Sequence, residues 1–136
     1  MVRRRVRREP VAYILGRKGF RRIELVVDRR VLIPRPETEL LVEVALEGGA
    51  SSVIDVGTGS GAIALAVADE LPEARVFAID ISMDALRVAQ VNTDRLGLGG
   101  RVDVVNRGVA SLASTAAASA NLSQVRIDNF GRVNAS

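Results

Sequence analysis

The chain of 136 residues has no cysteine, no histidine and no tryptophan, with one tyrosine, three phenylalanines and four prolines. The empty His and Cys columns exclude a Ser-His-Asp triad, a thiol nucleophile, an imidazole general base and a Cys/His zinc site. No disulfide framework exists, which fits a reducing compartment. Aromatic residues are too few to interleave with basic ones as a base-stacking surface. No apolar run is long enough to span a membrane, and the arginines near the start are not followed by the apolar segment of a signal peptide. The chain is long enough for one domain and no more. What remains for chemistry is carboxylates, backbone amides, amide side chains or a bound cofactor.

Apolar residues make up 48% of the chain, enough for a packed core. The net charge of +3 conceals an asymmetry. Residues 1–35 carry twelve basic and three acidic side chains, a balance of +9, whereas residues 36–100 carry three basic and eleven acidic ones, a balance of −8. The run Arg3-Arg4-Arg5-Val6-Arg7-Arg8 has the charge to contact phosphate, or is a solvated terminus whose charges repel one another.

Hydrophobic periodicity and turn residues set the organisation. Residues 1–10 form a basic segment. Residues 11–50 are expected to hold a short helix at Val11 to Leu15, a hairpin pairing Ile23–Val27 with Val31–Ile33, and a helix after Pro34-Arg35-Pro36. That helix runs to Leu46 and buries Leu40, Leu41, Val44 and Ala45. Residues 51–108 alternate strand and helix: Ser52–Val56, Ala62–Leu71, Arg75–Asp80, Met83–Leu96 capped by Ser82, and Val102–Val105. This order predicts a parallel α/β sheet in which Val102–Val105 is an exposed edge. Residues 109–136 form a linker and tail with little fixed structure: ten of the twelve residues from Val109 to Ala120 are Ala, Ser or Thr, and one apolar cluster, Val125 to Phe130, follows.

The residues that carry chemistry lie where the first buried strand meets its helix, in Asp55-Val56-Gly57-Thr58-Gly59-Ser60-Gly61, with Asp80 ending the next strand. Glycines allow a sharp turn and a close backbone approach to a ligand, and the helix that follows offers amides and a positive dipole end. A carboxylate at the end of the neighbouring strand can accept both hydroxyls of a ribose. Two adenosine-type cofactors fit. Gly57-x-Gly59-x-x-Ala62 satisfies the dinucleotide fingerprint in its alanine-ended form. Asp55 before Gly57-x-Gly59-x-Gly61 suits S-adenosylmethionine, whose ammonium and sulfonium a carboxylate favours and whose structure has no pyrophosphate to repel.

The segments Arg8-Glu9-Pro10-Val11-Ala12-Tyr13-Ile14-Leu15-Gly16, Val31-Leu32-Ile33-Pro34-Arg35-Pro36-Glu37-Thr38-Glu39 and Asp55 to Ala66 resemble the bacterial release factor glutamine methyltransferases, the HemK/PrmC family. The resemblance covers residues 8 to about 105, and its proline-arginine segment is more specific than the glycine loop. It implies a partial Rossmann-like, S-adenosylmethionine-dependent methyltransferase fold in a cytoplasmic enzyme. Its reaction is methylation of the glutamine side-chain amide in peptide chain release factors. Carried over by position, Gly57, Thr58, Gly59, Ser60 and Gly61 would wrap the methionine and ribose moieties. Asp80 would hold the ribose hydroxyls and Asp55 would lie near the amino group. Arg35, Glu37 and Thr38 would lie at the pocket mouth, or cap the helix that follows.

The family's Asn-Pro-Pro-Tyr motif, which holds the substrate amide, is absent: all four prolines lie at or before Pro72 and no asparagine precedes a proline. The position of the family's adenine-side acid falls on Gly108. The expectation is therefore a truncated form that keeps part of the cofactor site, with no catalytic residue of its own and no metal. Two further classes stay open: a non-catalytic chain whose Arg3–Arg8 run binds nucleic acid, and a fragment that binds a nicotinamide dinucleotide.

Overall fold

The computed structural model describes residues 2–107 and the strands at 124–128 and 132–135. Gly108 and the Ala/Ser-rich linker lie outside the described residues. The arginine run forms one helical turn and a half, α1 (Val2–Val6), with every side chain exposed. It is tied back rather than splayed. Glu9 takes Arg4 at 2.5 Å and Arg29 at 3.2 Å, and these two guanidiniums hold its carboxyl down at about 2. After Pro10, α2 (Val11–Leu15) ends at Gly16, whose φ of +73° reverses the chain without the steric cost a side chain would bring.

A hairpin is present, with a different partner from the one expected. Strand β1 (Arg17–Phe20) pairs antiparallel with β2 (Ile23–Val26), from Arg17 opposite Val26 to Phe20 opposite Ile23. Val31–Ile33 is not a strand. Asp28 accepts the Arg30 backbone N–H at 2.9 Å and its carbonyl accepts that of Val31 at 3.1 Å, so Asp28-Arg29-Arg30 closes on itself. The Tyr13 hydroxyl donates to the Val31 carbonyl at 2.6 Å, and two prolines follow. The segment runs on without a strand partner among the described residues and is extended at Arg35. The β1–β2 turn places Arg21 at φ +49°, unusual for a non-glycine residue. Three carboxylates hold it there. Glu39 accepts its backbone N–H at 3.0 Å, Glu70 takes the guanidinium fork at 2.5 and 2.8 Å, and Glu43 takes the remaining nitrogen at 2.6 Å.

The same clamp sets the roll of the next helix. Pro36–Thr38 forms a 3₁₀ turn that opens into α3 (Glu39–Gly48). Because Glu39 and Glu43 both face Arg21, the buried stripe falls one residue later than expected. Val42 and Ala45 are buried and Leu41 and Leu46 partly so, while Leu40 is 67% and Val44 45% exposed.

The main sheet follows the predicted alternation: β3 (Ser52–Val56), α4 (Ala62–Glu70), β4 (Arg75–Asp80), α5 (Met83–Arg95) and β5 (Val102–Asn106). All five residues of β3 are buried, as a strand covered on both faces requires. Ala62 to Ala68 are all buried as well, since alanine lets α4 lie close to the sheet. Arg101 closes the far end of α4 by donating to the carbonyls of Ala68 at 2.6 Å and Leu71 at 3.1 Å. Ser82 accepts the Ala85 N–H at 3.2 Å as the N-cap of α5.

Strand order is β5-β4-β3-β6-β7. In the tail, β6 (Gln124–Asp128) runs parallel to β3, with Val56 opposite Asp128, and β7 (Arg132–Ala135) returns antiparallel to β6. The apolar cluster noted from Val125 thus begins as a strand. Among the described strands β5 is an edge, as expected. No helix among the described residues is long and apolar enough to cross a membrane.

Candidate functional site

The order of strands reverses at β3, between β4 on one side and β6 on the other, and a crevice opens beyond the carboxyl ends of the strands there. The glycine loop forms its floor. The backbone N–H groups of Gly57 and Thr58 both donate to the Ile79 carbonyl, at 2.8 and 2.9 Å, which folds the loop over the end of β4. Gly57, Gly59 and Gly61 have φ of +75°, +57° and +88°. A Cβ at Gly61 would stand 3.0 Å from Leu65 Cδ1, whereas one at Gly59 would meet nothing within 4 Å. Gly59 therefore faces open space and Gly61 is packed against the helix.

Asp80 organises this floor. One carboxylate oxygen accepts the Gly59 N–H at 3.0 Å and the other accepts the Ser82 N–H at 2.9 Å. Each oxygen keeps a lone pair, so the carboxylate retains acceptor capacity on the cleft side. Asn92 supports the loop from below. Its oxygen accepts the Val26 N–H at 2.6 Å, and its nitrogen donates to the carbonyls of Val26 at 3.0 Å and Ser60 at 2.9 Å. One buried amide thereby joins the hairpin to the glycine loop.

Asp55 lies behind the loop and is fully buried. One of its oxygens accepts from the Thr58 hydroxyl at 2.7 Å and from the Ala64 N–H at 3.2 Å. The other, Oδ1, has no hydrogen-bond partner among the described residues. Burial dominates the bonds that favour its ionised form and pushes its carboxyl up to about 7, with Asp80 adding to the rise.

The crevice encloses about 910 Å³. Its lining includes Gly57, Thr58, Gly59, Ser60 and Asp80 from the strand ends, and Thr38 with Val31 to Pro36, Arg35 among them, from the segment before α3. Of the residues singled out from the sequence, Asp55, Gly61 and Glu37 are not in the lining: the first two sit behind the loop and Glu37 is exposed. Three cations, Lys18, Arg30 and Arg35, are in the lining with Pro10 and Tyr13, and Asp80 is the lining carboxylate. Among the described residues no group of His, Cys, Asp and Glu could hold a metal ion.

A family model described as a methyltransferase domain matches residues 48–122, more than half of the chain. The chain belongs to the methyltransferase domain family. Its resemblance to release factor glutamine methyltransferases is also borne out. It is 47% identical over 118 residues to the release factor glutamine methyltransferase of Chlorobaculum tepidum, covering 80% of this chain and 40% of that protein. It is 49% identical over 107 residues to that of Caulobacter vibrioides, covering 76% and 37%. The chain thus spans about two fifths of the length of these relatives. An O-methyltransferase of Bacillus cereus in complex with SAH superposes with a TM-score of 0.55 at 20% identity, over 64% of this chain and 40% of that one, a likeness of fold.

Within the methyltransferase domain, sequence reasoning passed over Asn92. The signal was present: Ala85, Ala89, Asn92 and Thr93 share the buried stripe of α5, and a lone amide on such a stripe must find partners. It also passed over Lys18 and Arg30 in the lining, because their place depends on the true hairpin partner.

Proposed function

We propose that this chain binds S-adenosylmethionine in the crevice between the glycine loop and the Val31–Pro36 segment, as the cofactor-binding part of a release factor glutamine methyltransferase. The observation that carries the reading is Asp80, fixed by the Gly59 and Ser82 amides at the carboxyl end of β4 with acceptor capacity to spare. The residues fit the group. A crevice of about 910 Å³ lies within the usual range for a ligand of this size. Gly59 leaves open space where a side chain would intrude. Asp80 accepts the ribose hydroxyls, and Gly57 to Ser60 present backbone to the methionine moiety. When bound, S-adenosylmethionine supplies a methyl group on a sulfonium, an excellent leaving group for in-line displacement.

What the chain's own residues must then do is hold a planar amide nitrogen in line with that methyl carbon. Here the chain is deficient. No asparagine is followed by proline, and the single tyrosine, Tyr13, already donates its hydroxyl to the Val31 carbonyl. The chain therefore transfers no methyl group, and with Gly108 at the position of the family's adenine-side acid it binds cofactor weakly. The substrate of the complete activity is the glutamine amide of a peptide chain release factor, and a cytoplasmic setting follows from that substrate. The test is transfer of labelled methyl from S-adenosylmethionine to a purified release factor. The expected result is no incorporation by this chain under conditions where a relative containing Asn-Pro-Pro-Tyr methylates fully. Turnover comparable with that relative would overturn the assignment of catalytic incompetence.

A further inference from the structure

Asp55 is the carboxyl of the glycine segment, yet the cofactor reading gives it no direct contact. It does not line the crevice, yet Thr58, which does, donates its hydroxyl to it. Its surroundings determine its charge. Across the sheet it stands opposite Ala78 of β4 and, by register, Ile127 of β6. Helix α4 presents the Ala64 N–H. Asp80 is the charged group acting on it, and its sign is the same. No ion pair to Asp55 is formed among the described residues. A fully buried carboxylate with two neutral donors on one oxygen, none on the other and an anion nearby is poorly compensated. Its buried Oδ1 has room for the proton that neutralises it.

The entry of a cation into the crevice changes this balance. S-adenosylmethionine carries one carboxylate against an ammonium and a sulfonium, a net charge of +1, whereas S-adenosylhomocysteine has lost the sulfonium and is neutral overall. Resting on the proposed cofactor site, we propose that Asp55 stays protonated on Oδ1 in the free protein and ionises when S-adenosylmethionine binds, so that one proton leaves with cofactor entry and much less of one leaves with the demethylated product. The proton passes from Oδ1 to solvent, and the resulting carboxylate faces the positive ligand through the Thr58 hydroxyl. Asp55 is then a positioning residue that acts through Thr58 and distinguishes the charged cofactor from its neutral product.

The test is calorimetric titration of the wild-type chain at pH 6 in two buffers of different ionisation enthalpy. At that pH the amino group of either ligand is already protonated, its ordinary pKa being about 8. The slope of apparent enthalpy against buffer enthalpy counts protons. The expected result is release of most of one proton with S-adenosylmethionine and much less with S-adenosylhomocysteine. The affinity for the former should rise roughly threefold to tenfold for each unit by which the pH is raised towards 7. Asp55→Asn should abolish the release while retaining binding. Should that variant fold poorly, infrared difference spectra of the wild type provide the second readout: the carbonyl band of a protonated carboxylic acid should vanish on cofactor addition. Cofactor binding with no proton exchange overturns the inference and leaves the site intact. Release that persists in Asp55→Asn overturns its assignment to this residue. No binding of S-adenosylmethionine at all overturns both the inference and the site on which it rests.

Discussion

Asp55 and the glycines after it show how a single position trades stability for a site. The folded chain raises the Asp55 carboxyl from 3.8 to about 7, so the native state holds this proton more tightly than the unfolded chain does. The contribution to stability is fully present below about pH 4 and is lost as pH rises through about 7. Asp55→Asn removes the titration while keeping the shape. Urea denaturation should find the variant more stable than the wild type at pH 8 by about 1–3 kcal/mol, with the difference shrinking towards pH 5. A wild type that stays more stable than the variant at pH 8 would count against a buried, poorly compensated carboxyl. The glycines provide a paired comparison. Gly61→Ala combines φ +88° with a contact of 3.0 Å to Leu65, whereas Gly59→Ala combines φ +57° with open space. Both should destabilise, Gly59→Ala by about 1 kcal/mol and Gly61→Ala by about twice that. Gly59→Ala should in addition impair cofactor binding, because its methyl group enters the crevice. Thermal denaturation and cofactor titration of the two variants separate the effects.

At the scale of elements, two side chains weld the hairpin to the sheet. Asn92 of α5 satisfies both backbone groups of Val26 and the Ser60 carbonyl. Asn92→Leu fills a similar volume but leaves a buried donor and two acceptors unpaired. It should cost about 2–4 kcal/mol by denaturant unfolding and loosen the glycine loop. A loss below 0.5 kcal/mol would show that water replaces the amide without penalty. Arg21 is the other weld, and it explains what could not be read in advance. The parallel strands β3, β4 and β5 were legible because burial on both faces demands largely apolar runs, as in Ser52–Val56 and Arg75–Asp80, whereas β6 lies in the tail that was expected to hold little fixed structure. The helices between them were legible from Ser82, Pro72 and Gly97. The β1 strand was not, because Arg17-Lys18-Gly19-Phe20 has no β-branched residue and its turn depends on carboxylates contributed by α3 and α4. The roll of α3 depends on the same contacts, so Leu40 and Val44 gave a misleading face. Local pattern identified the strands and helices from β3 to β5; it failed at the hairpin and at α3, where tertiary ion pairs decide the pairing and the roll.

For the molecule as a whole, the charge asymmetry visible in the composition becomes a spatial one. The basic residues 1–35 supply Lys18, Arg30 and Arg35 to the crevice lining, and the acidic stretch 36–100 supplies Asp80. The absence of His and Cys excludes nothing that methyl transfer from a sulfonium requires, since positioning rather than proton transfer carries that reaction. Asp55 proved to stand behind the loop, outside the lining, whereas the glycine loop and Asp80 were legible as a candidate site. The places of Asn92 and of the lining cations were not, because they arise from contacts between segments distant in sequence. Titration calorimetry of the purified chain with S-adenosylmethionine, alongside NAD and the Asp80→Asn variant, tests the central claim most directly. The account predicts saturable one-to-one binding of S-adenosylmethionine, no binding of NAD, and an affinity reduced at least tenfold, about 1.4 kcal/mol, in Asp80→Asn. Saturable NAD binding without S-adenosylmethionine binding, or an Asp80→Asn variant with unaltered affinity, would contradict it.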